Sequence, residues 1–413
     1  MNRTAEGIVV FGVADDRTLA QAREVAARAD RLALMADNHL GYVMPIGGVA
    51  AYRRHLSVAG VGFDIACGNA AILTDAHLGD FDRERLTELA GEIQATISFG
   101  VGRSNLADDA PVDDPLFDDP AWEAIPERWI EGKRESGRES LRQKARAQLG
   151  TVGSGNHYVD VLADEDGRLW VGVHFGSRGF GHTVASGFLA LGAGAQWGER
   201  APETEVLLDV ETPSGDAYRA LMTLAGRYAY AGREWVARKV LGLMGAAELD
   251  LVHNHHNFAW QEEHGGERFY VVRKGATPAF PGQRGFVGGS MGDNSVILRG
   301  SNDPAAESDQ RAALYSTVHG AGRVMSRTEA AGKINRKTGE VKRAGKVTPA
   351  MMEEWLEREG VILRGGGLDE SPHAYRRLPD VLAAQGATIE IEHELRPVIV
   401  MMAGANEFDP YRD

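Results

Sequence analysis

The 413 residues are 43% hydrophobic and carry 45 basic against 59 acidic side chains, a formal net charge of −14. This is enough apolar material for one large core or two ordinary ones, and it is too acidic for a protein that coats nucleic acid over its whole surface, although a local basic groove stays open. No run approaches the roughly 20 apolar residues of a membrane span, and the N-terminal stretch lacks the pattern of a secretory signal, so a cytoplasmic protein without a membrane partner is expected.

Between residues 15 and 36, apolar and charged positions alternate at helical spacing (Leu19, Ala22, Val25, Ala26, Ala29), and a Gly- and Pro-rich turn follows over 41–48. The pattern predicts a helix feeding an irregular loop. Residues 104–128 hold four of the fifteen prolines among many aspartates and read as an exposed acidic loop or linker. Short apolar runs at 169–173 and 204–209 read as strands. The longest helical stretch is 216–243, with Leu221, Leu224, Tyr228, Ala231, Trp235 and Val236 close to one stripe. Two more strands follow at 269–273 and 396–402, separated by a helix that starts at Thr348 as N-cap with Pro349 in its first position. This irregular alternation, without a visible repeat, points to an α+β (mixed α/β) fold.

The residues that carry chemistry come in clusters. Asp64 stands three residues before Cys67, the only cysteine; in a tight turn both can face one cation, or Cys67 is simply a buried core residue. Gly153–Ser154–Gly155 leads into Asn156 and His157, side chains suited to ligation or phosphate contact. His174 ends an expected strand and precedes a Gly-rich turn with Arg178, a guanidinium fork suited to phosphate. In 253–257, His253 and His255 share one face of an extended chain and His256 takes the other, so not all three need be ligands. His319, beside Gly320 and Gly322 and ahead of Arg323 and Arg327, suits a nucleophilic imidazole surrounded by phosphate-binding charge. Residues 280–292 supply another Gly-rich anion-cradling segment, without the spacing of a P-loop. Lys333, Arg336, Lys337, Lys342, Arg343 and Lys346, opposed only by Glu340, form a basic cluster that either binds phosphates or is a solvated loop.

Taken in order, MADNHLGYVMPIGGVAA (35–51), GVGFDIACG (60–68), LGTVGSGNHYVD (149–160), HFGSRGFGH (174–182), HHNFA (255–259), RKGATPAFPG (273–282), GGSMG (288–292), STVHGAGRVMSR (316–327) and SPHAYR (371–376) resemble the RtcB family of RNA ligases over nearly the whole chain. The resemblance implies one large domain over 1–413, central β-sheets flanked by helices, with a short extra C-terminal tail at 404–413. It implies two Mn²⁺ ions bridged by Cys67, with Asp64 and His157 on one side and His174 and His256 on the other. Ligand chemistry alone would have favoured zinc for the Cys and His donors and manganese for the carboxylate. His319 resembles the family's guanylylated histidine, and Asn156, Asp160, Ser290, Arg323 and Tyr375 fall at nucleotide-contact positions. Arg178 and Arg327 fall at phosphate or RNA contacts, and Asp37 lies near the metals or substrate. The implied reaction is GTP-dependent joining of RNA ending in a 3′-phosphate or 2′,3′-cyclic phosphate to RNA with a 5′-hydroxyl, in RNA repair or tRNA splicing. An activating protein partner is left open.

The chain departs from the family pattern at its end. A Lys-Gly terminus is usual, whereas here Met402 or Ala403 occupies the lysine position and the sequence runs on through Asn406 to Asp413. Asp160 also stands where the family often has Glu. These changes bear on nucleotide affinity and keep a second reading open, a metal-dependent cyclic phosphodiesterase or nucleotidyltransferase that no longer ligates.

Overall fold

Five neighbouring strands of one sheet end at the same place, and that convergence builds the site. In a computed structural model, residues 1–131, 134–200, 203–334, 341–405 and 407 are described. The larger sheet has eight strands. Its path runs Glu248–His255, Gly68–His77, Arg168–Phe175, Tyr158–Ala163, Ile389–Gly404, Ser295–Gly300 and Arg284–Val287, with Ile362–Gly366 pairing parallel to Ile389–Gly404. The first five strands are antiparallel neighbour to neighbour. Register places Gly68 opposite both Phe175 and His255, His174 opposite Tyr158, and Tyr158 opposite Met402. Alternate strands therefore enter and leave at one sheet end, bringing Cys67, His157, His174, His256 and Met402 together from distant parts of the chain.

A six-stranded sheet includes Arg31–His39, Ile46–Tyr52, Glu267–Lys274 and Asn257–His264. Ala33, Met35, Val49, Phe269 and Val271 of this sheet share a buried cluster with Val287, Val296 and Leu298 of the larger one. The helix Pro213–Met244, capped by Thr212 and ended by Gly245 at φ 69°, turns Val236, Ala237, Val240 and Leu241 onto Ile72, Val171 and Val173. Its earlier turns, through Tyr218, Leu221, Leu224 and Tyr228, join the core that also holds Leu34, Ala50 and Tyr52. The α+β architecture, the long helix and the helix Pro349–Glu359 with its Thr348 cap match the sequence reading. Among the described residues no helix is long and apolar enough to cross a membrane.

Three expectations need correction. The first helix covers only Asp16–Ala26, and Arg31–His39 is a strand rather than helix and loop. Residues 32–38 are all buried, so neither face leaves the polar alternation that marks a half-exposed strand. The 204–209 run forms only the short strand Leu207–Asp209, paired with His55–Ser57. Residues 104–128 are not a linker: Asp114 and Asp119 cap two 3₁₀ turns beginning at Pro115 and Pro120, which carry Phe117 and Trp122 fully into the core. In the basic cluster, Lys333, Lys342, Arg343 and Lys346 are exposed, and Lys346 pairs with Glu329. Arg336, Lys337 and Glu340 lie outside the described residues, as do Asn406 and 408–413 of the expected tail.

Candidate active site

A cavity of about 610 Å³ opens where the strand ends meet. Its floor is a row of contacting donor groups. Asp64 Oδ2 lies 3.0 Å from His157 Nε2, and Cys67 Sγ lies 3.8 Å from His157 Nε2 and 3.6 Å from His174 Nε2. The His174 ring stacks on His256 at 5.2 Å, and His256 meets His319 at 4.9 Å between centroids. The turn that delivers Cys67 is sharp: Ala66 sits at φ 61°, and the Cys67 N–H donates to Asp64 O at 3.0 Å. Non-glycine residues adopt such a φ only where the surroundings enforce it.

The donors are aimed by their neighbours. His157 Nδ1 is 2.9 Å from Val152 O, and His174 Nδ1 is 2.6 Å from Asn69 Oδ1. A carbonyl can only accept, so the Val152 contact puts a proton on Nδ1 and turns Nε2 toward Asp64 and Cys67. Arg178 Nη1, 3.0 Å from the same Nδ1, then finds no lone pair there, and its guanidinium stays available to the cavity. It lies in a slot left by Gly153, at φ 90°, where any Cβ would overlap it. Burial and the adjacent Asp64 carboxylate push the Cys67 thiol well above its usual pKa. Burial also pushes the Asp64 carboxyl up, but the His157 hydrogen bond and the charges of His157 and Arg178 outweigh it, holding the pKa down to about 2. Burial first, with the surrounding cationic groups, holds His174 and His256 well below the ordinary imidazole value, so both offer neutral nitrogens.

These residues fit a cation. Cys67, His157 and His174 place their ligand atoms within 4.8 Å of one another. Donors around one ion at bonds of 2.0–2.3 Å sit roughly 3.3–3.8 Å apart, the range of the two distances from Cys67 Sγ. His256 Nδ1 is buried with no hydrogen-bond partner among the described residues, an orphan that a ligand would satisfy.

His319 differs from the donors. Asp37 Oδ2 accepts from its backbone N–H at 3.0 Å and lies 2.6 Å from its Nδ1. Nε2 keeps no partner among the described residues, in a ring that lines the cavity. Gly322, at φ 74°, lets the loop close over Asp37, whose carbonyl a Cβ there would strike. Beyond His319 the cavity is lined by Ser290, Tyr158, Asp160, Val400, Met402 and Tyr375. Asp160 Oδ1 and the Tyr158 hydroxyl are buried without hydrogen-bond partners among the described residues, and burial pushes the Asp160 carboxyl well above its usual value. Met402 faces this end, whereas its neighbour Met401 packs in the core behind the sheet.

The cavity thus collects most of the residues singled out from the sequence: Asp64, Cys67, Asn156, His157, Asp160, His174, Arg178, His256, Ser290, His319, Arg323, Arg327 and Tyr375 line it, whereas Asp37, His253 and His255 do not. Asn156 Nδ2 lies 3.5 Å from His174 Nε2. Arg323 and Arg327 are already engaged. Arg323 donates to Tyr375 Oη at 2.9 Å and Asp369 O at 2.7 Å, and Arg327 pairs with Glu370 and with Asp369 at 3.2 Å. Tyr375 also bonds Glu370. Sequence reasoning missed this acidic pair, the aiming role of Asn69 and the partner role of Asp37. Asn69 lies only two residues after Cys67, a signal that was readable. Arg233 was missed as well: fully buried, it donates to Ala66 O at 3.0 Å and Phe175 O at 2.5 Å, and meets His253 and His255 at 2.8 and 2.9 Å. His253 and His255 therefore serve the far side of the strand, leaving His256 alone toward the cavity.

The sequence model of the family described as tRNA-splicing ligase RtcB matches residues 18–403. RNA-splicing ligase RtcB of Escherichia coli (strain K12) is 31% identical over 386 residues, covering 89% of each chain. tRNA-splicing ligase RtcB of Thermococcus kodakarensis is 32% identical over 447 residues, covering 92% of this chain and 89% of the relative. RNA-splicing ligase RtcB of Mycobacterium tuberculosis is 30% identical over 421 residues, covering 85% and 91% respectively.

Proposed function

The chain belongs to the RtcB family and is an RNA ligase, and we propose that it joins RNA 3′-phosphate or 2′,3′-cyclic phosphate ends to 5′-hydroxyl ends, with GTP and Mn²⁺, through a guanylyl group carried on His319. The observation that carries this reading is the placement of His319: Asp37 holds Nδ1, Nε2 faces the cavity, and the Cys and His donors lie alongside. A nitrogen with its lone pair exposed and its opposite nitrogen hydrogen-bonded to a carboxylate is a nucleophile whose developing positive charge is stabilised.

Asp64, Cys67, His157, His174 and His256 would hold two manganese ions, which supply charge neutralisation for phosphoryl oxygens. His319 Nε2 attacks the α-phosphate of GTP, forming the P–N bond as pyrophosphate leaves. The RNA 3′-phosphate then takes GMP from the histidine, and the 5′-hydroxyl oxygen attacks that activated phosphorus, releasing GMP and leaving a 3′,5′ linkage. Asn156 and Arg178 orient phosphates. Asp160, Ser290 and Tyr375 border the nucleotide, and Arg323 and Arg327 act there through the Asp369–Glu370 network. We further propose that residues 1–413 act as one catalytic domain in the cytoplasm, in RNA repair or tRNA splicing.

The test is incubation with Mn²⁺ and α-labelled GTP, with ATP and His319→Ala alongside, followed by a denaturing gel. A GTP-derived label absent from the variant is expected. Absence of label from protein shown to contain metal would overturn the guanylyl-histidine step and bring forward the cyclic phosphodiesterase reading.

A further inference from the structure

Behind the donor row a guanidinium is sealed in the core. Arg233, on the long helix Pro213–Met244, is fully buried. Its hydrogen bonds among the described residues run to neutral groups. Nη1 donates to Ala66 O at 3.0 Å and to Phe175 O at 2.5 Å, while Nε meets His253 Nε2 at 2.8 Å and Nη2 meets His255 Nδ1 at 2.9 Å. Burial holds both imidazoles well below the ordinary imidazole pKa, so each accepts through a lone pair. Burial lowers the guanidinium as well, but only to about 10, and it stays charged at neutral pH. Tyr230 fixes the two acceptors, stacking on His255 at 3.9 Å and meeting His253 edge-on at 4.0 Å. Gly232 admits the arrangement, since a Cβ there would come within 3.2 Å of the Phe175 ring.

A buried cation bonded to neutral groups alone is costly to fold around. Its position accounts for that cost. Ala66 immediately precedes Cys67 and Phe175 immediately follows His174, and strand register sets Gly68 opposite Phe175. One nitrogen, Nη1, therefore joins the carbonyls that flank a thiol and an imidazole whose donor atoms lie 3.6 Å apart. Ala66 is also the left-handed residue of the Cys67 turn, at φ 61°, and its N–H donates to Asn257 O at 2.7 Å, so it is gripped at both ends. We propose that Arg233 is a positioning residue for the donor row, locking the carbonyl before Cys67 to the carbonyl after His174 so that thiol and imidazole stand at cation-binding separation before an ion arrives. His253 and His255 then have a task of their own: they orient the guanidinium rather than hold metal. This rests on the metal-holding role given to Cys67 and His174 above.

The test is titration of the full-length metal-free protein with Co²⁺, reading both affinity and the sulfur-to-cobalt charge-transfer band. Arg233→Met should lower Co²⁺ affinity by about 10–100-fold and weaken or shift the band. Arg233→Lys keeps the charge but is too short to hold both carbonyls and both imidazoles, and affinity should fall by about tenfold. Phe269→Leu, a core variant on the other sheet, controls for lost stability: its melting temperature should drop while affinity and band stay those of the parent. Parent-like affinity and band in Arg233→Met would overturn the proposal, as would losses in Phe269→Leu equal to those of Arg233→Met. Should Arg233→Met not fold, parent-like binding by Arg233→Lys overturns it instead. Because no turnover is needed, a parent that binds Co²⁺ but takes no label from GTP counts against the ligase reading alone. A parent that binds no Co²⁺ removes the metal-holding role and this inference with it.

Discussion

Oδ2 of Asp37 lies 2.6 Å from Nδ1 of His319 and at the same time accepts the His319 backbone N–H at 3.0 Å. One carboxylate oxygen thus sets both the loop and the ring, fixing which nitrogen carries the proton. Asp37→Asn keeps the shape but can present an amide N–H to Nδ1, favouring the wrong tautomer. Labelling of His319 by GTP should fall by about 10²–10⁴-fold, while bound manganese, measured by elemental analysis, stays unchanged.

Cys67 has no substitute among the described residues, because it is the only donor within reach of both His157 and His174. Cys67→Ser should lower metal affinity by about 100-fold or more, read by titration with Co²⁺. The thiolate charge-transfer band of the cobalt form should vanish in the variant.

The pH dependence of metal binding follows from the same residues. Burial and Asp64 hold the free thiol protonated at neutral pH, while His174 and His256 are already neutral. Cation binding then releases the Cys67 proton, so affinity should rise about tenfold per pH unit between pH 6 and 8. A flat profile would mean that the thiol is not a ligand.

Asp160 supplies a stability prediction. Burial raises its folded-state pKa above the unfolded value. Any such raised carboxyl leaves stability intact below the unfolded pKa and removes it as pH rises toward the folded one. Asp160→Asn should therefore be more stable than the parent at pH 7 and indistinguishable from it near pH 3.5, measured by urea unfolding of metal-free protein.

Met402, which with Ala403 is one of the two residues that the family resemblance sets against its usual lysine, faces the cavity and pairs in register with Tyr158. Met402→Lys should place a cation near the phosphate-binding end and beside Asp160, lowering KM for GTP by about tenfold. An unchanged KM would show that the chain has replaced that charge by other means.

The chemistry-bearing residues were legible because each sits in a short motif whose side chains have few other uses, such as Asp64 to Cys67 or His319 beside two glycines. The cap at Thr348 was similarly local. The Arg31–His39 strand was not, because a segment buried on both faces carries no periodic signal. Nor was the core role of Phe117 and Trp122, which lie within a proline- and aspartate-rich stretch that by composition reads as exposed. Arg233 and the pairing of Asp369 and Glu370 with Arg323 and Arg327 were invisible for another reason: those partners lie 20 or more residues apart in the chain.

The sequence by itself determined the residue types, the turns that hold them and the family they resemble, since those depend on neighbours within a few positions. Only the tertiary structure decided that Asp37 serves His319, that Asn69 aims His174, that His256 alone of its cluster faces the cavity, and that Met402 rather than Ala403 does so. Those relationships are set by strand register, and in an antiparallel sheet a shift of one residue sends every side chain to the opposite face.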